Sequence, residues 1–89
     1  MGERHYTIRQ LTRELRVTAR TLRYYEDEGM VKPGRHGQTR IFSAHDRARL
    51  IIILRGRRLG FSVAEMREVA RMYDYKDGNM AEMVMARRK

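Results

Sequence analysis

Residues 16–29 read RVTARTLRYYEDEG, and this stretch predicts a turn followed by a short helix with clear ends. Thr18 belongs to the residue types that cap helix N-termini, because its hydroxyl accepts a hydrogen bond from a free backbone N–H of the first turn. Gly29 belongs to the type that follows a helix C-terminus, because it adopts a left-handed backbone without strain. The sequence therefore predicts a helix over residues 19–28.

A second predicted helix lies directly upstream, over residues 8–15. Thr7 and Gln10 have the spacing of a capping box, and apolar residues follow along one helical face. The turn of about three residues between the two helices gives the spacing of a helix-turn-helix. The apolar residues expected to lock the two helices at a steep angle are Leu11, Leu15, Val17 and Leu22.

Residues 31–42 follow the helix-turn-helix and contain the only proline of the chain and two of its glycines. Such a cluster is not helical. Its last three residues, 40–42, read Arg-Ile-Phe and have strand character, so the segment predicts a small hairpin with a glycine-rich tip.

Two further helices are indicated by capping boxes. Ser43 with Asp46 predicts a helix that runs to residue 59, and Ser62 with Glu65 predicts another that extends to about residue 73. The apolar run at residues 50–54 has the β-propensity of a buried strand, but its charged flanks and its upstream cap favour a helix. The predicted fold is therefore mainly α, a winged helix-turn-helix of four helices and a small β-hairpin wing, with a short C-terminal helical stub from about residue 80.

Composition restricts the kinds of function. The chain has 89 residues, enough for one small domain but with little room for a deep substrate cavity. It has no cysteine, and its three histidines are far apart in sequence, so we expect no catalysis, no metal site and no cofactor. The N-terminus lacks the apolar core of a signal peptide and the longest apolar run has five residues, so we expect a soluble cytoplasmic protein with no membrane partner.

Basic residues are concentrated in the first two thirds of the chain. The formal net charge is +9, and residues 4–60 hold fourteen basic and five acidic residues, whereas residues 61–89 hold six and five. Five of the basic residues lie in the third predicted helix: Arg47, Arg49, Arg55, Arg57 and Arg58. Seventeen of the twenty basic residues are arginine, whose guanidinium makes bidentate contacts with phosphates and guanine edges. This distribution favours nucleic acid as the partner.

The second helix of the helix-turn-helix carries the candidate DNA-contacting side chains. At about 100° per residue, Arg20, Arg23, Tyr24 and Asp27 share a face that is distinct from the one with Ala19, Leu22 and Glu26. Arg20, Thr21 and Arg23 are the candidate readers of base edges, and Tyr24 with the wing residues Arg35 and Arg40 are candidate phosphate contacts. The full predicted DNA-binding set is Thr18, Arg20, Thr21, Arg23, Tyr24, Tyr25, Arg35 and Arg40. For Tyr25 alone the helical periodicity favours the core, and we expect Asp27 to pair with a neighbouring arginine.

The residues just described resemble the N-terminal signature of MerR-type transcriptional regulators. The resemblance starts at Tyr6-Thr7-Ile8, is most specific in the string Thr-Leu-Arg-Tyr-Tyr-Glu at residues 21–26, and continues through residues 29–33 and 40–43 to the stretch 58–66. It covers about residues 5–73. By position it assigns Arg20, Arg23, Tyr24 and Tyr25 to recognition-helix contacts and Arg40 to a wing contact. It departs from the family at Arg16, where glycine is frequent.

The resemblance implies a homodimer joined by a long antiparallel helix, which bends and undertwists double-stranded promoter DNA so that RNA polymerase engages both promoter elements. On this basis we expect residues 1–75 to form the DNA-binding domain and residues 76–89 to be a linker with the start of a dimerisation helix, or a disordered tail. Because so little of that helix is present, a monomer or weak dimer is also predicted.

Two other functions share the same composition. An excisionase-like architectural factor would bend DNA with this fold without recruiting polymerase. An RNA-associated basic module would bind A-form duplexes or loops at least as tightly as B-form DNA.

Overall fold

The computed structural model describes residues 4–75. These residues form four helices and three short strands. In chain order the elements are β1 (His5–Thr7), α1 (Ile8–Leu15), α2 (Ala19–Asp27), β2 (Gly34–His36), β3 (Thr39–Ser43), α3 (Ala44–Arg58) and α4 (Val63–Tyr75).

The two helices of the helix-turn-helix begin at the predicted residues. Thr7 and Gln10 form both hydrogen bonds of a capping box, at 3.1 and 2.8 Å. The Thr18 hydroxyl accepts a hydrogen bond from the backbone N–H of Thr21 at 3.1 Å. After α2, Gly29 has a φ of +76° and the backbone forms the two hydrogen bonds of a Schellman motif. The end of α2 is one residue earlier than predicted.

Arg16 makes the turn between α1 and α2 possible. It has φ 59° and ψ 48°, a left-handed conformation in which the Cβ of an L-residue crowds the following carbonyl. Within the described chain it is the only residue other than glycine with a positive φ. The turn therefore closes despite the absence of glycine, at the expense of local backbone strain.

This strain predicts a stabilising substitution. We expect Arg16→Gly to raise the free energy of unfolding by about 0.5–1 kcal/mol, because the relief of a left-handed conformation exceeds the added entropy of the unfolded chain. Urea unfolding followed by circular dichroism measures the difference. Arg16→Ala is the control, since it removes the same charge and keeps the strain; equal stability of the two variants would contradict the interpretation.

The strands form one antiparallel sheet in the order β1-β3-β2. The β2–β3 hairpin confirms the predicted wing, and its two-residue loop begins with Gly37 at φ +65°, as in a type II′ turn. The strand β1 was not predicted. It pairs along β3 from His5 with Ser43 to Thr7 with Ile41, so the segment before α1 is part of the wing sheet.

The apolar run at residues 50–54 is helical, as its flanks predicted. The helix α3 begins after Ser43, which forms a reciprocal pair of hydrogen bonds with Asp46 at 3.0 and 3.1 Å. It ends in a second Schellman motif with Gly60 at φ +98°. The capping box of Ser62 and Glu65 then opens α4.

The described chain divides into two compact units between Ala48 and Arg49. In the first unit the buried apolar side chains are Leu11, Leu22, Tyr25, Met30, Val31 and Phe42. In the second they are Leu50, Ile52, Ile53, Leu54, Phe61, Met66, Val69 and Ala70. Of the expected locking residues, Leu11 and Leu22 are fully buried, whereas Leu15 and Val17 are half-buried. All eight predicted DNA-binding residues belong to the first unit.

Among the described residues, none of the helices has the length and apolar character that a bilayer crossing requires. The helical stub expected from about residue 80, and the predicted linker or tail at 76–89, lie outside the described residues. The domain boundary at residue 75 therefore stays a prediction.

Candidate nucleic-acid interface

The outward face of α2 is cationic and aromatic. Arg20, Arg23 and Tyr24 are exposed, whereas Leu22 on the opposite side is fully buried. This division follows from the helical period, since residues three and four apart point the same way. The face therefore presents two guanidinium groups and a phenol to a partner, as the sequence predicted.

The N-terminus of α2 carries two neighbouring hydroxyls. The Oγ1 atoms of Thr18 and Thr21 lie 3.0 Å apart, and the Thr18 oxygen already accepts the Thr21 N–H. The hydroxyl of Thr18 therefore caps α2, and this is its role within the folded protein. Thr21 is half-buried beside the exposed Arg20, so its assignment as a base reader stays a prediction.

Tyr25 belongs to the core. Its relative exposure is 5%, against 44% for Tyr24, and the two rings lie 5.6 Å apart between centroids. The helical periodicity had favoured this placement, whereas the family resemblance assigned Tyr25 to a DNA contact. Burial of the ring opposes that assignment, and Tyr24 is the exposed aromatic residue of α2.

The wing presents Arg35 in β2 and Arg40 in β3 as direct cross-strand partners. Both contact the carboxylate of Glu26 in α2: Arg40 Nε donates to Oε1 at 2.6 Å, and Arg35 Nη2 lies 3.4 Å from Oε2. The expectation that Asp27 pairs with an arginine is wrong. Asp27 is exposed, and no ion pair of its side chain is found within the described part of the chain. The reason is helical phase, since Glu26 lies on the side of α2 that reaches the wing arginines.

The face of the sheet opposite Phe42 borders an open cavity of about 620 Å³. Its lining residues are His5, Lys32, Gly34, Arg35, His36, Ile41, Ser43 and Asp46. The two histidines lie on opposite edge strands, and their partners on β3 are Ser43 and Thr39. That separation is about 13 Å along the strand, so the two imidazoles do not converge on one small anion.

At least three of the five arginines of α3 are buried or hydrogen-bonded within the protein. Arg47 donates to the Glu14 carboxylate, Arg49 is 6% exposed, and Arg57 donates to the backbone oxygen of Phe61. Arg55 and Arg58 are exposed. A count of charges in the sequence does not reveal these contacts, because the groups that accept hydrogen bonds from the arginines come close to them only in the folded chain.

Arg47 joins three elements of the first unit. Its guanidinium forms a forked ion pair with Glu14 in α1, with Nε 2.9 and 3.1 Å from the two carboxylate oxygens. Its Cζ also lies 5.6 Å from the centre of the Tyr6 ring in β1. The hydrogen bond from Arg47 lowers the pKa of the Glu14 carboxyl, and the hydrogen bond to Glu14 raises the pKa of Arg47.

The lowered pKa of Glu14 predicts a pH dependence of stability. A carboxyl whose pKa is lower in the folded state adds stability above its unfolded pKa, and that stability is lost as the pH falls. We therefore expect wild type to be more stable than Glu14→Gln at pH 7, with the difference shrinking below about pH 4.3. Urea unfolding at pH 7, 5 and 3.5 measures it. Glu68→Gln, in an exposed pair with Arg71, is the control; a difference between wild type and Glu14→Gln that is constant with pH would contradict the assignment.

No group of three or more histidine, aspartate or glutamate side chains in the described range is arranged to hold a metal ion.

Comparison with known proteins agrees with this geometry. The profile of a family described as "MerR HTH family regulatory protein" matches residues 6–84. The chain is 41% identical over 68 residues to the HTH-type transcriptional regulator HmrR of Rhizobium leguminosarum bv. viciae, and the match covers 75% of this chain and 53% of HmrR. The chain thus spans about half the length of the curated relative that it matches.

Two solved structures have the same fold. One is HiNmlR, a MerR family regulator lacking the sensor domain, crystallised bound to promoter DNA; the TM-score is 0.74 at 24% identity, covering 91% of this chain and 63% of HiNmlR. The other is a MerR family transcriptional regulator from Bacillus cereus, with a TM-score of 0.68 at 22% identity, covering 96% of this chain and 69% of that one. At these identities the likeness establishes the fold, and it confirms the predicted winged helix-turn-helix.

Proposed function

Since the chain belongs to the MerR family of helix-turn-helix regulatory proteins, we propose that it binds a specific sequence in double-stranded promoter DNA and regulates transcription there. The observation that carries the proposal is the outward face of α2, where Arg20, Arg23 and Tyr24 are exposed at the start and middle of a capped helix. A helix of this diameter fits the major groove, and its N-terminal residues reach base edges.

Each group has a separate role in the proposed complex. Arg20 and Arg23 contact base edges, because a guanidinium donates two parallel hydrogen bonds to the O6 and N7 atoms of guanine. Thr21 approaches the bases from the first turn of α2. The phenol of Tyr24 contacts a phosphate. The N-terminal end of α2 at Thr18 contacts another, since free N–H groups and the helix dipole favour an anion there.

The wing supplies the second part of the interface. Arg35 and Arg40 contact the sugar–phosphate backbone, which positions the protein and carries no sequence information. We infer that the helix and the wing contact the duplex together and distort the promoter. The energy of that bending depends on the sequence that is bent, so the distortion contributes to specificity. HiNmlR, which has the same fold, was crystallised with promoter DNA, and this supports DNA as the partner here.

The remaining parts of the proposal rest on the family alone. We infer that the chain acts in the cytoplasm as a homodimer, influences RNA polymerase through the shape of the promoter, and catalyses no reaction. A dimer places two copies of α2 about one helical turn of DNA apart, so the site is expected to be a palindrome with that spacing.

Selection from a random pool of duplex DNA tests the function. The expected result is one enriched palindromic sequence with half-sites about one helical turn apart, bound with a steep dependence on salt. A set of bound sequences without enrichment would contradict sequence-specific binding.

A competition and a transcription assay separate the alternatives. An A-form RNA duplex that displaces the selected DNA at equal concentration would favour an RNA-associated module. Transcription in vitro from a promoter with the selected site separates a regulator, which changes transcript yield, from an architectural factor, which bends the DNA without that effect.

A further inference from the structure

Glu26 joins the recognition helix to both strands of the wing. One of its carboxylate oxygens accepts from Arg40 in β3 at 2.6 Å, and the other lies 3.4 Å from Arg35 in β2. Helical periodicity places Glu26 on the face of α2 with Ala19 and Leu22, and the sequence alone assigns it no role. It thus connects the two parts of the proposed DNA interface through a single side chain.

The Glu26 carboxylate also reduces charge repulsion within the hairpin. Arg35 and Arg40 are directly opposite each other in the β2–β3 register, and like charges in that position destabilise a strand pair. A negative charge that contacts both guanidinium groups offsets this repulsion. Without it, the two strands of the wing would present two unneutralised cations at one rung of the ladder.

The ion pair with Arg40 is the stronger of the two contacts. The side chains of Glu26 and Arg40 are 20% and 25% exposed, whereas that of Arg35 is 49% exposed. Shielding from water and salt strengthens a charged hydrogen bond, and a short distance does the same. The ion pair of Glu26 with β3 is therefore stronger than its ion pair with β2.

We propose that Glu26 is a positioning residue, which fixes the wing against the recognition helix and so raises the preference of the protein for its specific site over random DNA. The inference rests on the proposed DNA-binding function. Two effects act in the same direction. A fixed wing engages the backbone only where α2 is in register with its bases, and a carboxylate beside Arg40 competes with phosphates for that guanidinium, which lowers sequence-independent binding.

Asp27 provides a matched control for the measurement without DNA. It is the next residue in the same helix, it is exposed, and no ion pair of its side chain is found in the described part of the chain. Glu26→Gln and Asp27→Asn each remove one negative charge and keep the shape of the side chain. Only the first removes a carboxylate that contacts the wing.

The first measurement uses protein without DNA. We expect the backbone amides of β2 and β3 to exchange with solvent about 5-fold faster in Glu26→Gln than in Asp27→Asn, because the ion pairs between the wing and α2 are lost. Amides of α1, in the same unit, report that this unit of each variant is folded. In wild type, the Nε–H of Arg40 should exchange more slowly than that of the exposed Arg20; equal rates for these two groups would overturn the proposal without any substitution.

The second measurement compares DNA affinities. Glu26→Gln and the control Glu68→Gln, which alters an exposed carboxylate of α4, should both bind random duplex more tightly than wild type, because each loses one negative charge. The ratio of specific to random affinity should fall about 5-fold further in Glu26→Gln than in Glu68→Gln. Equal ratios would overturn the proposal, even if wing exchange differs, because Glu26 would then be structural only. If wild type prefers no sequence at all, the proposed function fails, and the exchange experiment still reports whether Glu26 holds the wing.

Discussion

Arg20→Ala is expected to weaken binding to the selected DNA site by about 1–3 kcal/mol and to relax the base preference at one position of each half-site. Arg20 is exposed in the first turn of α2, where side chains of a recognition helix reach deepest into the major groove. Loss of a bidentate guanidinium removes discrimination against the wrong base. Fluorescence anisotropy with the selected site and its single-base variants measures both quantities.

The control for Arg20→Ala is a variant with the same change of charge elsewhere. Arg71 in α4 is exposed and pairs with Glu68 three residues away, so Arg71→Ala makes the same change of net charge outside the unit that contains α2. We expect only a small, sequence-independent loss from it. An Arg20→Ala variant that loses equal affinity for selected and random DNA would show that Arg20 contacts phosphate rather than a base.

Phe42→Ala is expected to lower the free energy of unfolding by about 3–5 kcal/mol, a large part of the about 5–15 kcal/mol typical of a folded domain. Phe42 lies in the central strand β3 and is fully buried. Removal of the ring leaves a cavity beneath the wing sheet that the surrounding chain only partly fills. Thermal and urea unfolding followed by circular dichroism should show the loss, and DNA binding should disappear at temperatures where the variant unfolds.

Phe42→Leu separates burial from shape. Leucine keeps most of the apolar volume, so we expect a much smaller loss of stability than with alanine. If the alanine and leucine variants are equally destabilised, the stability depends on the shape of the Phe42 ring rather than on its volume. If Phe42→Ala unfolds like wild type, the side chain does not occupy the core as the structure describes.

Local sequence signals were sufficient for the ends of the helices. Each helix begins at a residue whose side chain accepts a backbone hydrogen bond three residues ahead, and such pairs are visible in the sequence as Thr7 with Gln10 or Ser62 with Glu65. Glycine after α2 and α3 marked their ends for a similarly local reason. The exposed face of α2 was predictable too, because it depends only on the helical period.

Three features could not be read in this way, because they depend on residues far apart in the chain. Strand β1 has only three residues, and its pairing with β3 spans more than thirty positions. The ion pair of Glu14 with Arg47 joins residues thirty-three apart. The choice of Glu26 over Asp27 as the partner of the wing depends on where the hairpin folds back onto α2.

The sequence by itself determined the family, the order of the four helices, their caps and the set of exposed side chains on the recognition helix. It did so because hydrogen-bonded caps and helical periodicity act over three or four residues. Only the tertiary structure decided which arginines are engaged within the protein and that a single carboxylate connects helix and wing. These outcomes depend on distances between charged and aromatic groups, which exist only after distant segments have packed together.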